Sequence, residues 1–126
     1  MGEHPHAQRY RRMADDMEKG NFQPFIDSLA DDVEWWEVGG SQPIRGKENL
    51  LAHFEKQMGK WEITASVHDV LANDEHLVAL TEAVGKKGDD IFNYKTVEIH
   101  HVDDEGKITH RWSFADDTQA VNDFFS

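Results

Sequence analysis

The stretch KGNFQPFIDSLADDVEWW, residues 19–36, changes its hydrophobic period partway along, and that change decides the fold. Gly20 stops whatever helix precedes it. Asn21 is placed to cap a second helix, with Pro24 inside the first turn, where its missing amide donor is harmless. Phe22, Phe25, Ile26 and Leu29 then recur at helical spacing and make one apolar face. Asp31 and Asp32 release the chain into a short strand, VEWWE over residues 33–37, which breaks at Gly39, Gly40 and Pro43.

Working outward from this stretch, Tyr10, Met13, Ala14 and Met17 recur at helical spacing and predict a first helix after a flexible tail over residues 1–6. Gly46 opens a third helix whose Leu50, Leu51, Phe54 and Met58 share a side, and Gly59 ends it. From Trp61 the period becomes two. Trp61, Ile63, Ala65 and Val67 alternate with Glu62, Thr64, Ser66 and His68, which predicts a strand with one wet face. HLVALTEAVG (76–85) continues as a strand, GKKGDD turns into IFNYKTVEIHHV (91–102), and DDEG is a tight hairpin into KITHRWSFA (107–115). Asp117 is placed to cap a last helical turn carrying Val121, Phe124 and Phe125. Helices first and long antiparallel strands after them is an α+β order, with helices packed on one side of a curved sheet.

The 126 residues, 38% hydrophobic and 10% aromatic, suffice for one modest core and predict a single domain over 1–126. Twenty-five acidic against thirteen basic side chains give a net charge of −12, which opposes phosphate backbones and anionic lipid. The expectation is no nucleic-acid and no membrane partner. With no cysteine there is no disulfide framework, thiolate metal site or cysteine nucleophile. The opening MGEHPHAQRYRR lacks an apolar signal core, so a soluble, unprocessed cytoplasmic protein is expected.

The order helix, Gly, helix, Asp-Asp, strand in residues 19–36, the Gly46 helix start, the hairpin VEIHHVDDEGKI with its aromatic strand, and DDTQAVNDFF at the end together resemble the nuclear transport factor 2-like superfamily. The likeness is to its branch of SnoaL-like polyketide cyclases and ketosteroid isomerases, and it spans nearly the whole chain. It implies a cone-shaped, cystatin-like fold in which N-terminal helices pack against a strongly curved, mostly antiparallel sheet enclosing a deep apolar pocket. It also implies frequent homodimers through the outer sheet face, where Trp112 and Phe114 fall.

Laid against a ketosteroid isomerase with Gly46 as anchor, Glu37 falls at the general-base aspartate and Glu98 at the protonated, hydrogen-bond-donating aspartate. A carboxylate in a poorly solvated pocket lined by Trp35 has its proton affinity raised, which suits proton abstraction beside a carbonyl. Tyr94, Thr96, Glu98 and His100 share one face of their strand. Arg111, Ser113 and Ala115 fall on the pocket side of the next, so Arg111 could pair with Glu98 and hold it ionised. The isomerase's tyrosine network is absent, its positions being Met13, Leu29 and Phe54, with Tyr10 one helical turn earlier as the nearest phenol. Steroid isomerisation is therefore not expected. Carboxylates with an arginine in such a cone also resemble limonene-type epoxide hydrolases.

The expected catalytic set is thus Glu37, Glu98, His100 and Arg111, with Tyr10, Met13, Trp35, Phe54, Tyr94 and Ser113 lining the pocket. No cofactor is implied. The doublet His100-His101 invites a metal, but alternation splits the two rings across opposite faces, so no metal site is expected. A Glu98 to Arg111 ion pair is equally compatible with a purely structural role. Asp116 and Asp117 read as caps, although some cyclases of this branch keep an acid-base aspartate there. The activity expected is cofactor-free acid-base chemistry on a small apolar carbonyl or epoxide compound, of isomerase, cyclase, dehydratase or hydrolase type. The alternatives are a non-catalytic module for a hydrophobic ligand and a dimeric interaction domain.

Overall fold

The computed structural model describes residues 3–126. Its elements in chain order are α1 (Pro5–Glu18), α2 (Gln23–Ser28), β1 (Leu29–Trp35), β2 (Ile44–Arg45), α3 (Lys47–Gln57), β3 (Glu62–Ala72), β4 (His76–Lys87), β5 (Asp90–Val102), β6 (Ile108–Ala115) and α4 (Thr118–Phe125). The strands form one curved, unclosed sheet in the order β2-β1-β6-β5-β4-β3. Every pairing is antiparallel except β1 with β6, where Trp35 lies opposite Arg111. A register shift between Val67 and Asp69 adds a residue to β3, the kind of irregularity that bends a strand.

The hinge of the chain is at Gly46. Its φ of +88° and ψ of 140° suit glycine alone, and its amide donates to the Val33 carbonyl at 2.8 Å while its carbonyl receives the Leu50 amide. That turn drops Leu50, fully buried, into a core with Met13, Phe25, Leu29, Val33, Trp35 and Ile108. A second cluster, Ala7, Val70, Leu77, Ala79 and Val102, lies beneath the first turns of α1. The hairpins follow the expected chemistry. Gly88 and Gly106 take positive φ, and Asp103 Oδ1 accepts from the amides of Glu105 and Lys107. Asp117 caps α4 by accepting from the Ala120 amide at 3.0 Å.

Several local expectations need correction. α1 begins at Pro5, so residues 5 and 6 are helical where the sequence suggests a tail over 1–6; His4 caps it through its ring, and that ring also reaches Asp74 at 2.8 Å. Residues 1 and 2 lie outside the described residues. α2 starts after Phe22, which is 49% exposed, and Asn21 only accepts from the Gln23 amide at a long 3.4 Å. Leu29 belongs to β1, not to the helix. Met58 lies beyond the end of α3 and is exposed. Residues 62–66 of β3 are exposed on both faces, because β3 is the sheet edge and its inner side chains border open space.

Replacing Gly46 by Ala places a Cβ in a backbone region that L-residues avoid. The cost is about 1–3 kcal/mol of stability, read as a lower urea midpoint with an unchanged slope.

Candidate functional site

A cavity of about 320 Å³ opens on the concave side of the sheet, walled by β3 to β6, the turn after β1 and α4. Its lining is mixed. Ile63, Ala65, Ala83 and Val121 alternate around it with the hydroxyls of Thr81, Thr96 and Ser113, so it is less apolar than the resemblance implies. The buried Thr81 and Thr96 hydroxyls bond to each other across β4 and β5.

At one end of the cavity Glu98 is gripped by two neighbours. Arg111 Nη2 stands 3.4 Å from Glu98 Oε2, and His100 Nε2 stands 3.5 Å from Glu98 Oε1. The pairing follows from register: Glu98 lies opposite Ser113 and His100 opposite Arg111, so the arginine reaches its carboxylate diagonally across the hairpin. Burial alone would raise the proton affinity of Glu98. The Arg111 charge, with the hydrogen bond and charge of His100, outweighs it and holds the carboxyl down at about 2. Glu98 is therefore an ionised acceptor, unlike the protonated aspartate of the isomerase. Burial pushes His100 below its usual value, against the opposing pull of Glu98. Burial and the Glu98 charge push the Tyr94 phenol up to about 12, so it stays a neutral donor.

Arg111 is itself clamped. Its guanidinium carbon lies 4.2 Å from the centroid of the Trp35 ring, its Nη1 donates to the Trp36 carbonyl at 3.0 Å, and its own carbonyl receives the Trp36 amide at 2.7 Å. Trp35 thus supports the site from below and is absent from the cavity wall. This corrects its expected lining role. The same holds for Phe54, whose ring packs edge-on against Trp35 at 5.5 Å inside the core.

Glu37 borders the cavity, but from the turn two residues past the end of β1. Its side chain is 43% exposed, and its Oε1 lies 3.0 Å from His53 Nε2 on α3. The desolvation expected around Trp35 therefore falls on Glu98 instead, whose side chain is 16% exposed. The Gln57 carboxamide, one helical turn along, lies 2.8 Å from the same His53 nitrogen and reaches the cavity wall. Neither residue was anticipated from the sequence. Their spacing of four on α3 is a legible signal, but the fold of turn 36–43 that brings Glu37 to them is not.

Of the other expected residues, Tyr94, Ser113 and Arg111 line the cavity with Glu37 and Glu98. His100 is on the same face of β5, yet the curve of the sheet carries it under α1, where it is fully buried edge-on to Tyr10 at 5.4 Å. Tyr10, Met13 and His100 border a separate cavity of about 360 Å³ beneath α1 and α2. Burial and the Glu98 charge push the Tyr10 phenol well above its usual range. Among the described residues, no three His, Asp or Glu side chains converge at metal-binding geometry. His101 faces outward between His76 and His110.

The ion pair predicts an acid response. His100 takes up its proton at a lower pH in the folded protein than in the unfolded chain, whose histidine does so from about 6.5, so stability starts to fall there on acidification. Glu98, held down at about 2, adds stability above its ordinary value of 4.5 that is lost as the pH falls from 4.5 towards 2. In Arg111→Met the buried carboxylate loses its counter-charge, at a cost of about 3–5 kcal/mol at neutral pH. Urea titrations across pH test both: in the variant the Glu98 contribution reverses sign, and acid relieves the strain.

The family model of the SnoaL-like domain matches residues 10–111. A search of curated proteins gives no match. Among solved structures, an epoxide hydrolase of the limonene type from M. tuberculosis superposes with a TM-score of 0.73 at 18% identity, over 88% of this chain and 82% of that one. IdmH from Streptomyces antibioticus, a polyketide cyclase by assignment, gives 0.74 at 15% identity over 98% and 100%. A protein of cystatin-like fold from Xanthomonas campestris gives 0.79 at 18% identity over 96% and 98%. The structural likenesses fix the fold, and the family match over most of its length places the chain in the SnoaL-like domain family of the NTF2-like superfamily.

Proposed function

We propose that the protein is a cofactor-free acid-base enzyme acting on a small carbonyl or epoxide compound. The observation that carries this reading is that Glu37 and the Glu98–Arg111 pair, contributed by different elements, open onto one cavity of about 320 Å³. With a carbonyl substrate, Glu37 takes the proton from the carbon beside the carbonyl. The electron pair of that C–H bond forms the carbon–carbon double bond as the carbonyl π pair moves onto oxygen, where neutral donors such as Tyr94 and Ser113 stabilise the enolate. With an epoxide, the same carboxylate takes a proton from water as the water oxygen attacks carbon, the carbon–oxygen bond of the ring breaks onto oxygen, and the alkoxide takes up the proton from Glu37 through water, which restores the carboxylate. One structural neighbour is an epoxide hydrolase and another is assigned as a cyclase, which supports both chemistries as candidates for this fold. Binding without chemistry is the second reading, favoured by the fact that Glu98 and Arg111 neutralise each other.

Nitrobenzisoxazole, whose ring opens when its carbon-bound proton is removed, and styrene oxide are suitable first probes. Glu37→Gln is expected to lower turnover by about 10² to 10⁴ with an unchanged urea midpoint. Undiminished turnover in that variant removes Glu37 from the mechanism, and stoichiometric binding of both probes with no product supports the binding reading.

We also infer that the protein is a homodimer through its outer sheet face. Val97 pairs across the strands with Phe114, and Ile99 with Trp112, leaving Phe114 55% exposed on that face. Sedimentation of Phe114→Glu should show a monomer where the wild-type chain shows a dimer; a monomeric wild type refutes the interface.

A further inference from the structure

A row of histidines crosses the outer face of the sheet. His76 on β4 lies opposite His101 on β5, and His101 lies opposite His110 on β6, so three neighbouring strands set the same residue type side by side. The ring centroids stand 4.9 and 5.4 Å apart. The row borders the apolar block of that face. Val78, Ile99 and Trp112 form the next row across the same strands, and Leu80, Val97 and Phe114 the one after. Trp112 joins block and row, stacked with His110 at 5.7 Å and edge-on to His101 at 4.9 Å. We propose that the row is a pH switch on the homodimer: neutral, it extends the contact face, and protonated, it drives the two protomers apart.

Size brings the row into the contact. A standard interface takes about 20–30 residues from each partner, and the two apolar rows supply six. The contact therefore runs on into the rows beside them, which are the histidines at one end and Glu82 opposite Lys95 at the other. A neutral imidazole suits a face that loses its water, whereas an imidazolium gives up hydration there. Partial burial, with the charges of His76 and His110, already lowers the proton affinity of His101 in the single chain, against the pull of Glu75. Counter-charges are few. Glu34 on β1 meets His110 at 3.1 Å but also pairs with Arg45 of β2 at 3.4 Å. Among the described residues neither His76 nor His101 forms an ion pair, and His76 Nδ1 stands 3.2 Å from Asn73 Oδ1 instead. His4 and His6 of α1, across the turn over residues 73–75, are engaged with Asp74. Acid thus loads the row with like charges, and a partner covering them removes the water that screens them.

Separation of the protomers lets the row take up protons, so the dissociation constant rises as the pH falls, about tenfold per pH unit for each proton taken up. Net charge acts the other way. At −12 per chain, acid relieves the mutual repulsion of two protomers, so the sign of the response tells the row from the overall charge. The switch rests on the homodimer through the outer face, and the two fail differently. Sedimentation equilibrium at constant ionic strength reads the dissociation constant from about pH 7.5 to about pH 5.5, over the part of that range in which circular dichroism shows the chain folded. The wild-type constant is expected to rise at least tenfold, about the effect of one proton. Combining His76→Gln, His101→Gln and His110→Gln should remove the rise, and His101→Gln alone should make it shallower. A dimer whose constant stays flat or falls with acid, or a rise that persists in the triple variant, overturns the switch and leaves the dimer standing. If the triple variant does not associate, the His101→Gln slope decides, and an unchanged slope overturns the switch. A wild-type chain that is monomeric throughout removes the dimer and the switch with it.

Discussion

The interaction on which the rest depends is the clamp on Arg111. Its guanidinium is pressed on the Trp35 ring, bonded to the Trp36 carbonyl, and aimed at Glu98. Each contact belongs to a different level of the structure. The Trp36 bonds secure the parallel seam between β1 and β6, which antiparallel hairpins cannot supply. The Trp35 face gives the cation a surface that does not compete for its hydrogen bonds. The Glu98 pair lets a carboxylate remain ionised in a place where burial would otherwise neutralise it. A lysine could offer the charge but not the planar face or the second donor, so the site is specific to arginine.

The clamp rests on an apolar bed. Met13, Leu29 and Phe54 pack around Trp35 in the core. An apolar bed is what a tryptophan needs if its face is to carry a cation, and phenols there would have brought hydroxyls into the same space. The apolar bed and the arginine therefore belong together, and the ion pair that they support keeps the Glu98 carboxylate charged. Glu98, kept ionised, is no proton donor at neutral pH and serves as the anchor of Arg111.

The fold was legible because its cues are local. Gly20, Gly46, Gly88 and Gly106 mark turns that each need positive φ, and the period change after Gly59 separates helices from strands. The family resemblance implied that Glu98, Ser113 and Arg111 share one face, but the DDEG turn alone does not fix that register, because the pairing shifts by one residue between His101–His110 and Val102–Ile108. The limits appear where a residue's neighbours come from a turn or from curvature. Alternation puts His100 beside Glu98, yet bending of the sheet turns it under α1 and away from the cavity. Trp35 alternates correctly but is covered by Arg111 from the adjacent strand. The meeting of Glu37 with His53 depends on eight residues of irregular backbone between β1 and β2, for which periodicity offers no rule.

The final constraint is one of solvent. The base role proposed for Glu37 calls for proton exchange with water, and Glu37, 43% exposed at the mouth beside His53, has that access. A counter-ion that must hold fixed charge profits from exclusion of water, and Glu98 and Arg111, 16% and 12% exposed, have that. The same two carboxylates exchanged between these places would serve neither purpose: at the mouth the ion pair would be screened, and in the depths the base would be tied to a guanidinium and lose its basicity. The gradient of exposure from the turn after β1 to the diagonal pair on β5 and β6 is therefore the feature that separates the surroundings of Glu37 from those of Glu98, and it is set by where β1 stops, at the tryptophan that carries the clamp.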